Sequence, residues 1–341
     1  MTAASLASER QRSSARQHRS IGLLIASVVV VFVLSLSLGQ SYTPPDQVIR
    51  ILLGENIPGA SFTVAQLRLP RAVLCILAGL SFGIAGAAFQ TMLRNPLASP
   101  DIIGISSGAS AAAVFAIVVL ALRGPMVSVF AVGAGLGVAL LVYLLSFRNG
   151  VAGTRLILVG IGVSAMLESF VAYILTQAPE WNLQEATRWL TGSVNGSQLT
   201  QALPLLAVIL LCGGTLLAIG RSIELLRLGD DTAAALGVRV SLVRVLVILC
   251  SVGLIATATA ITGPIAFVAF LSGPIASRII GGRHSVLLPA ACVGALLVLL
   301  GDYVGQYLLS SRYPVGVITG ALGAPYLIYL IIRVNRIGGT L

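Results

Sequence analysis

The apolar positions of this chain fall in long unbroken blocks rather than in short alternating runs. Ile21–Leu38 and Ile102–Leu122 each pass without a single charged side chain. Runs of about 20 apolar residues match the thickness of a bilayer core when helical. The blocks predict an all-α polytopic membrane protein of about ten transmembrane helices. The expected spans lie near 21–39, 68–93, 101–122, 126–147, 155–177, 200–220, 240–260, 264–281, 286–309 and 315–334. The eighth is interrupted by Pro264, Gly273 and Pro274.

Composition agrees. Only 9% of the 341 residues are charged and 57% are hydrophobic, against about 25% charged in soluble domains. A soluble protein of this length could not cover its surface with so few charges. Lysine is absent, so all 21 basic residues are arginine. A standard P-loop needs a Lys at the nucleotide phosphates, so ATP-driven work would require hydrolysis on another polypeptide. The net charge of +10 does not indicate nucleic acid, because the arginines sit mostly between apolar blocks. Cys75, Cys212, Cys250 and Cys292 lie inside those blocks without ligand or disulfide spacing and read as small core residues. No metal or cofactor set is predicted.

Residues 1–20 read as a disordered cytoplasmic tail, residues 21–335 as one transmembrane domain and residues 336–341 as a C-terminal tail. The first block lacks an A-x-A cleavage pattern, so it reads as an uncleaved span rather than a signal peptide. With both termini inside, 15 arginines fall on the cytoplasmic side (10, 12, 16, 19, 94, 148, 155, 221, 227, 239, 244, 278, 283, 333 and 336). The outer side has 6, at 50, 68, 71, 123, 188 and 312. That split follows the positive-inside rule and places the chain in the cytoplasmic (inner) membrane. His18 and His284 lie in polar segments with no ligand pattern.

Gly79, Gly83 and Gly86 recur at helical spacing, as close helix packing in lipid requires. Glu168 and Asp302 lie deep in apolar blocks, where charge is costly and marks candidate functional groups; each could also serve structurally, accepting hydrogen bonds from helix ends or hydroxyls. Asp101, after Pro100, suits a helix start. Asn95-Pro96 and Pro100 bracket a cytoplasmic turn. The polar stretch 221–244 cannot enter the bilayer. Within it Asp230 and Asp231 can open a short helix that Gly237 closes.

Four stretches carry more than hydrophobicity: Arg68-Leu-Pro-Arg71 leading into Gly79–Gln90; Arg94-Asn-Pro-Leu-Ala-Ser-Pro-Asp101 running on to Ala109; Leu228–Val238; and Gly263–Val268 with Tyr313–Gly316 and Gly323–Tyr326. In this order the set resembles the FecCD-type permeases of ABC importers for iron-siderophores and vitamin B12, over about residues 25–335. The resemblance implies a type II importer permease. A second permease chain, two copies of a cytoplasmic ATPase and an extracytoplasmic substrate-binding protein would surround it. It implies that Leu228, Gly229, Asp230, Asp231, Ala234, Leu236 and Gly237 meet the ATPase. It also implies that Arg68 and Arg71, three residues apart at the mouth of a span and aimed at water, receive acidic residues of the binding protein; anchoring by snorkelling arginines is the alternative. Asn95, Pro96, Glu168, Gly273, Pro274 and Asp302 are candidates for structure or gating.

Two departures stand out. Many members carry Pro-His where this chain has Gly273-Pro274, and Arg where it has Gln306. These variants point to pairing with a different permease chain, and Arg312 could supply the charge that Gln306 lacks. The expected cargo is a ferric siderophore, with vitamin B12 or haem as alternatives within the family. The rival class is an ion-coupled secondary transporter using Glu168 or Asp302, which would need no ATPase-docking segment. An intramembrane enzyme is disfavoured, since neither HExxH nor Gly-x-Ser-x-Gly occurs.

Overall fold

The structure is a computed structural model that describes residues 3–146, 153–281 and 285–338. Arg148, Arg283, His284 and the end of the C-terminal tail lie outside them. The described elements are helical throughout, with no strand among them. In chain order they are α1 (Ala3–Ser37), α2 (Pro45–Leu52), α3 (Leu69–Leu93), α4 (Ile105–Val118), α5 (Pro125–Ser146), α6 (Gly153–Thr176) and α7 (Glu180–Leu190). After these come α8 (Leu199–Ala218), α9 (Gly220–Leu225), α10 (Asp230–Ala235), α11 (Val240–Thr262), α12 (Val268–Ile280), α13 (Leu287–Tyr303) and α14 (Val315–Gly338). Seven of the described helices are long and apolar enough to cross a membrane, and Ile105–Val118, Val268–Ile280 and Val315–Leu330 are shorter apolar helices. Together they account for the ten expected blocks.

Several boundaries moved, each for a physical reason. α1 extends back to Ala3, so residues 3–20 are helical rather than disordered; the segment holds good helix formers and no Gly or Pro before Gly22. The second span begins at Phe62 rather than near Arg68, with a π-helical turn over Phe62–Arg68. The wider π turn absorbs Pro70, which has no N–H to give. Asp101 does not open a span directly. It sits in a 3-10 turn, Pro100–Ile103, whose Ser99 hydroxyl accepts from the Asp101 amide. Gly104 at φ +83° then breaks the helix, and α4 starts at Ile105. Burial raises the Asp101 carboxyl above its usual range, while hydroxyls of Ser106 and Ser99 pull it back.

α3 is the axle of the bundle, packed against α11, α12 and α13. The glycine spacing explains how. A Cβ on Gly79 or Gly83 would strike the backbone of Gly294–Ala295 or Ala290 on α13, and one on Gly86 the carbonyl of Ala269 on α12. Backbone thus lies on backbone, maximising dispersion contacts where lipid gives no hydrophobic drive. A second apolar cluster joins α4, α5, α6 and α7. The four cysteines are free, three of them buried.

Candidate functional site at the two ends of the central helix

α3 carries a polar cluster at each end. From Arg68 to Arg94 the helix rises by roughly 39 Å at about 1.5 Å per residue, so the two clusters lie at opposite faces of the bilayer.

At the Arg68 end of α3 the sequence expectation needs correction. Arg68 is not aimed at water: it is 5% exposed. Its Nη1 donates to the carbonyls of Leu36 and Ser37 at 2.8 and 3.2 Å, and its Nη2 to the Ser41 carbonyl at 2.6 Å. The last carbonyls of a helix have no partner within it, and Arg68 satisfies those of α1. The early start of the second span brings it there. Arg71 is also engaged. Its Nε and Nη2 grip Asp302 bidentately at 2.5 and 2.6 Å, and its Nη1 donates to the Asn195 side chain. Asp302 therefore answers an arginine, not the hydroxyls or helix ends offered as its structural partners.

Both arginines nevertheless line one polar cavity of about 500 Å³, shared with Asn195, Gln306, Tyr307 and the exposed Arg312. The expected grouping of Arg312 with Gln306 is present there. Residues 191–195, which complete this end and include Asn195, had no signal in the sequence. They are pinned by Ser193 N–H donating to the Thr262 carbonyl and Gly316 N–H to the Gly192 carbonyl. Gly316, Gly263 and Gly192 touch backbone so closely that no Cβ fits, which accounts for the glycines at 263 and 316.

At the Arg94 end the expected turn is present. Arg94 is left-handed at φ 54°, and the Asn95 side chain accepts from the Leu97 amide. The expected short helix is α10. It closes in a Schellman motif, with Val238 N–H on the Ala233 carbonyl, Gly237 N–H on the Ala234 carbonyl and Gly237 at φ +87°. Asp230 joins this helix to the bundle, pairing with Arg94 at 2.8 Å and with Arg244, at the start of α11, at 2.7 Å. Leu228 and Leu236 project outward, 59% and 58% exposed, and Gly229, Asp231 and Ala234 complete the segment.

Beside it a cavity of about 320 Å³ is lined by Gln90, Arg94, Asn95, Pro96, Gly273 and Pro274. Pro274 lies inside α12 and cannot donate to the carbonyl four residues back, that of Phe270. Gln90 Nε2 of α3 takes that carbonyl instead, at 2.9 Å. A Cβ at 273 would strike the Gln90 amide. Gly273-Pro274 and Gln90 are thus one constellation; a proline inside an apolar block signals a carbonyl without its donor, but the group that answers it lies 180 positions away and has no local signal.

Glu168 joins neither cluster. It is exposed on α6 and has no hydrogen-bond or ion-pair partner among the described residues. No group of three or more His, Cys, Asp or Glu able to hold a metal occurs among the described residues.

Comparison with known proteins places this two-ended helix in context. The chain is 39% identical to the ferric enterobactin transport system permease protein FepG of Escherichia coli over 315 residues, covering 92% of this chain and 96% of that one. It is 39% identical to the achromobactin transport system permease protein CbrC of Dickeya dadantii, covering 92% and 91%. It is 33% identical to the Fe(3+)-citrate import system permease protein YfmE of Bacillus subtilis, covering 94% and 96%. Its structure superposes on an inward-facing metal-chelate type ABC transporter with a TM-score of 0.81 at 28% identity, covering 93% of this chain and 99% of that one. Residues 27–333, which include both ends of α3 and the α10 segment, match the FecCD transport family: the chain is a multi-pass membrane permease and belongs to that family.

Proposed function

We propose that this chain is the membrane-spanning half of a permease that imports a ferric siderophore at the expense of ATP hydrolysed by separate subunits. The observation that carries the reading is the family match over residues 27–333, with relatives whose names specify ferric enterobactin, achromobactin and ferric citrate. The two ends of α3 divide the work. At the cytoplasmic face α10, with exposed Leu228, Ala234 and Leu236, offers apolar knobs to an ATPase cleft. Asp230 carries the resulting push to α3 through Arg94 and to α11 through Arg244. At the outer face Arg312 and the edge of Arg71 present cationic groups to acidic residues of a binding protein, while Arg68 holds the first helix in place behind them. Both termini are cytoplasmic in this arrangement.

The exposed face of α6, with Leu158, Ile161, Met166 and Tyr173, borders the path between two permease chains, where Glu168 meets water rather than lipid. We propose that the second chain differs from this one, on the strength of Gln306 and the Gly273-Pro274 pair. The chain itself performs no covalent chemistry. It provides alternative arrangements that binding protein and ATPase bias.

The test is uptake of ⁵⁵Fe-labelled siderophores into cells carrying or lacking this gene, with ATP depleted or the ion gradient collapsed. Uptake that depends on the gene and on ATP is expected. Uptake that survives ATP depletion and fails with the gradient would replace this reading with an ion-coupled carrier.

A further inference from the structure

An amphiphilic cavity opens on the side of the outer half of the bundle. Its deep part, about 590 Å³, lies between α5, α8 and α11 and is walled by Val129, Val132, Gly133, Pro204, Thr257 and Ile261. Its upper part, about 260 Å³, is bounded by Glu185, Arg188 and Trp189 of α7. The two parts share Ser128, Gln201, Ala260 and Ile261, so they adjoin along one side of the bundle, a charged head next to an apolar body.

Three observations identify what fits it. First, depth: from Pro125 to Gly133 α5 descends about 12 Å, close to half of a hydrocarbon core of about 30 Å, so the groove spans the outer leaflet. Second, openness: Val129 on one wall is 63% exposed, Leu203 beside the other is 74% exposed, and a Cβ on Gly133 would meet nothing within 4 Å. The groove therefore faces sideways, where acyl chains run. Third, charge: Ser128, Gln201, Ser193 and Asn195 already make hydrogen bonds inside the protein. Glu185 and Arg188 are exposed and in no ion pair among the described residues, yet lie three apart on one helix. An anion acceptor and a cation acceptor side by side at the interface, with Trp189 at headgroup level, complement a headgroup that carries both a phosphate and an ammonium.

We propose that this groove is a specific site for a zwitterionic glycerophospholipid of the outer leaflet. Arg188 meets the phosphate, Glu185 the ammonium, and one acyl chain lies between α5, α8 and α11. The lipid ties α7 to the ends of three membrane helices that otherwise lack a side-chain filler at Gly133.

The test uses the full chain with the subunits that co-purify with it, in nanodiscs of phosphatidylglycerol, which carries no ammonium, doped with a phosphatidylethanolamine bearing a diazirine on its acyl chain. After irradiation, cross-linked peptides are sequenced. Labelling should concentrate at residues 125–133, 200–204 and 257–261, above that on the equally exposed apolar face of α1. Unlabelled phosphatidylethanolamine should compete, and diacylglycerol, which lacks the headgroup, should compete about tenfold less well, equivalent to about 1.4 kcal/mol. Gly133→Phe should abolish labelling in the groove. Glu185→Gln with Arg188→Gln, which alters only exposed groups and leaves the core intact, should lower it by a similar factor and serves if the filled variant fails to assemble. Even labelling along all exposed helices, equal competition by diacylglycerol, or cross-links from the groove to another polypeptide would each overturn the site.

Discussion

The two arginines at the start of α3 look equivalent in sequence and are not equivalent in structure. Arg71 and Asp302 are both largely buried, with side-chain exposures of 17% and 8%. Removing one member of such a pair strands the other charge, at a cost of about 3–5 kcal/mol, whereas an apolar replacement of both is often tolerated. Asp302→Asn or Arg71→Leu is therefore expected to lower the thermal transition of the detergent-solubilised protein strongly, and Arg71→Met with Asp302→Leu to recover much of the loss. Additive losses in that double-mutant cycle would show that the pair is not coupled. The same method dissects the Arg94 end of α3. Gln90→Ala leaves the Phe270 carbonyl without a donor and should cost about 1–3 kcal/mol. Pro274→Ala supplies the missing N–H, so Gln90→Ala should be nearly silent in that background. What sequence reading caught here were residues whose chemistry is improbable in an apolar block, such as Asp302. What it missed were the groups that answer Arg71 and the Phe270 carbonyl, Asn195 and Gln90, because pairings 124 and 180 positions apart leave no local trace.

At the scale of elements, the short helix α10 was legible, while α9 before it was not. Two acids, three alanines and a glycine form a helix start, body and stop, and α10 has that shape. Gly237 at φ +87° is the position that a branched residue cannot adopt without strain. Gly237→Val should reduce siderophore uptake severalfold while the protein still reaches the membrane, as judged by immunoblot of membrane fractions. Asp230→Asn should act more mildly, because each of its ion pairs is part-exposed and worth about 0.2–1 kcal/mol. Uptake unchanged in both variants would remove α10 from the coupling path. Less legible were the irregular starts, since the π turn before α3 and the 3-10 turn before α4 are set by tertiary packing around Pro70 and Gly104 and not by hydrophobic periodicity.

At the scale of the molecule, hydropathy alone located all ten apolar blocks, because bilayer thickness imposes length on each of them. Their mutual arrangement was visible only in the glycines of α3. Two predictions belong here. Arg312→Glu should weaken uptake at limiting binding-protein concentration, with the defect growing as ionic strength falls, because an exposed charge acts through screened fields. Basal ATP hydrolysis by the assembled complex should stay largely unchanged. Uptake kinetics indifferent to this reversal would take Arg312 out of the docking surface. Separately, purification through a tag on this chain from its native host should yield two different membrane subunits. A stable, active complex with this chain as its only permease would refute the heterodimer.

The glycine seam between α3 and α13 has a consequence for motion. Where two helices touch through side chains, rotamer changes let them slide by fractions of an ångström. Where backbone meets backbone, at Gly79, Gly83 and Gly294, no such lubricating layer exists, and any shear would have to jump by a whole residue. α3 and α13 must then travel as a single strut through the transport cycle. Spin labels placed on the outer ends of these two helices should report one unchanged, narrow distance with and without nucleotide, while labels on α3 and α6 change theirs.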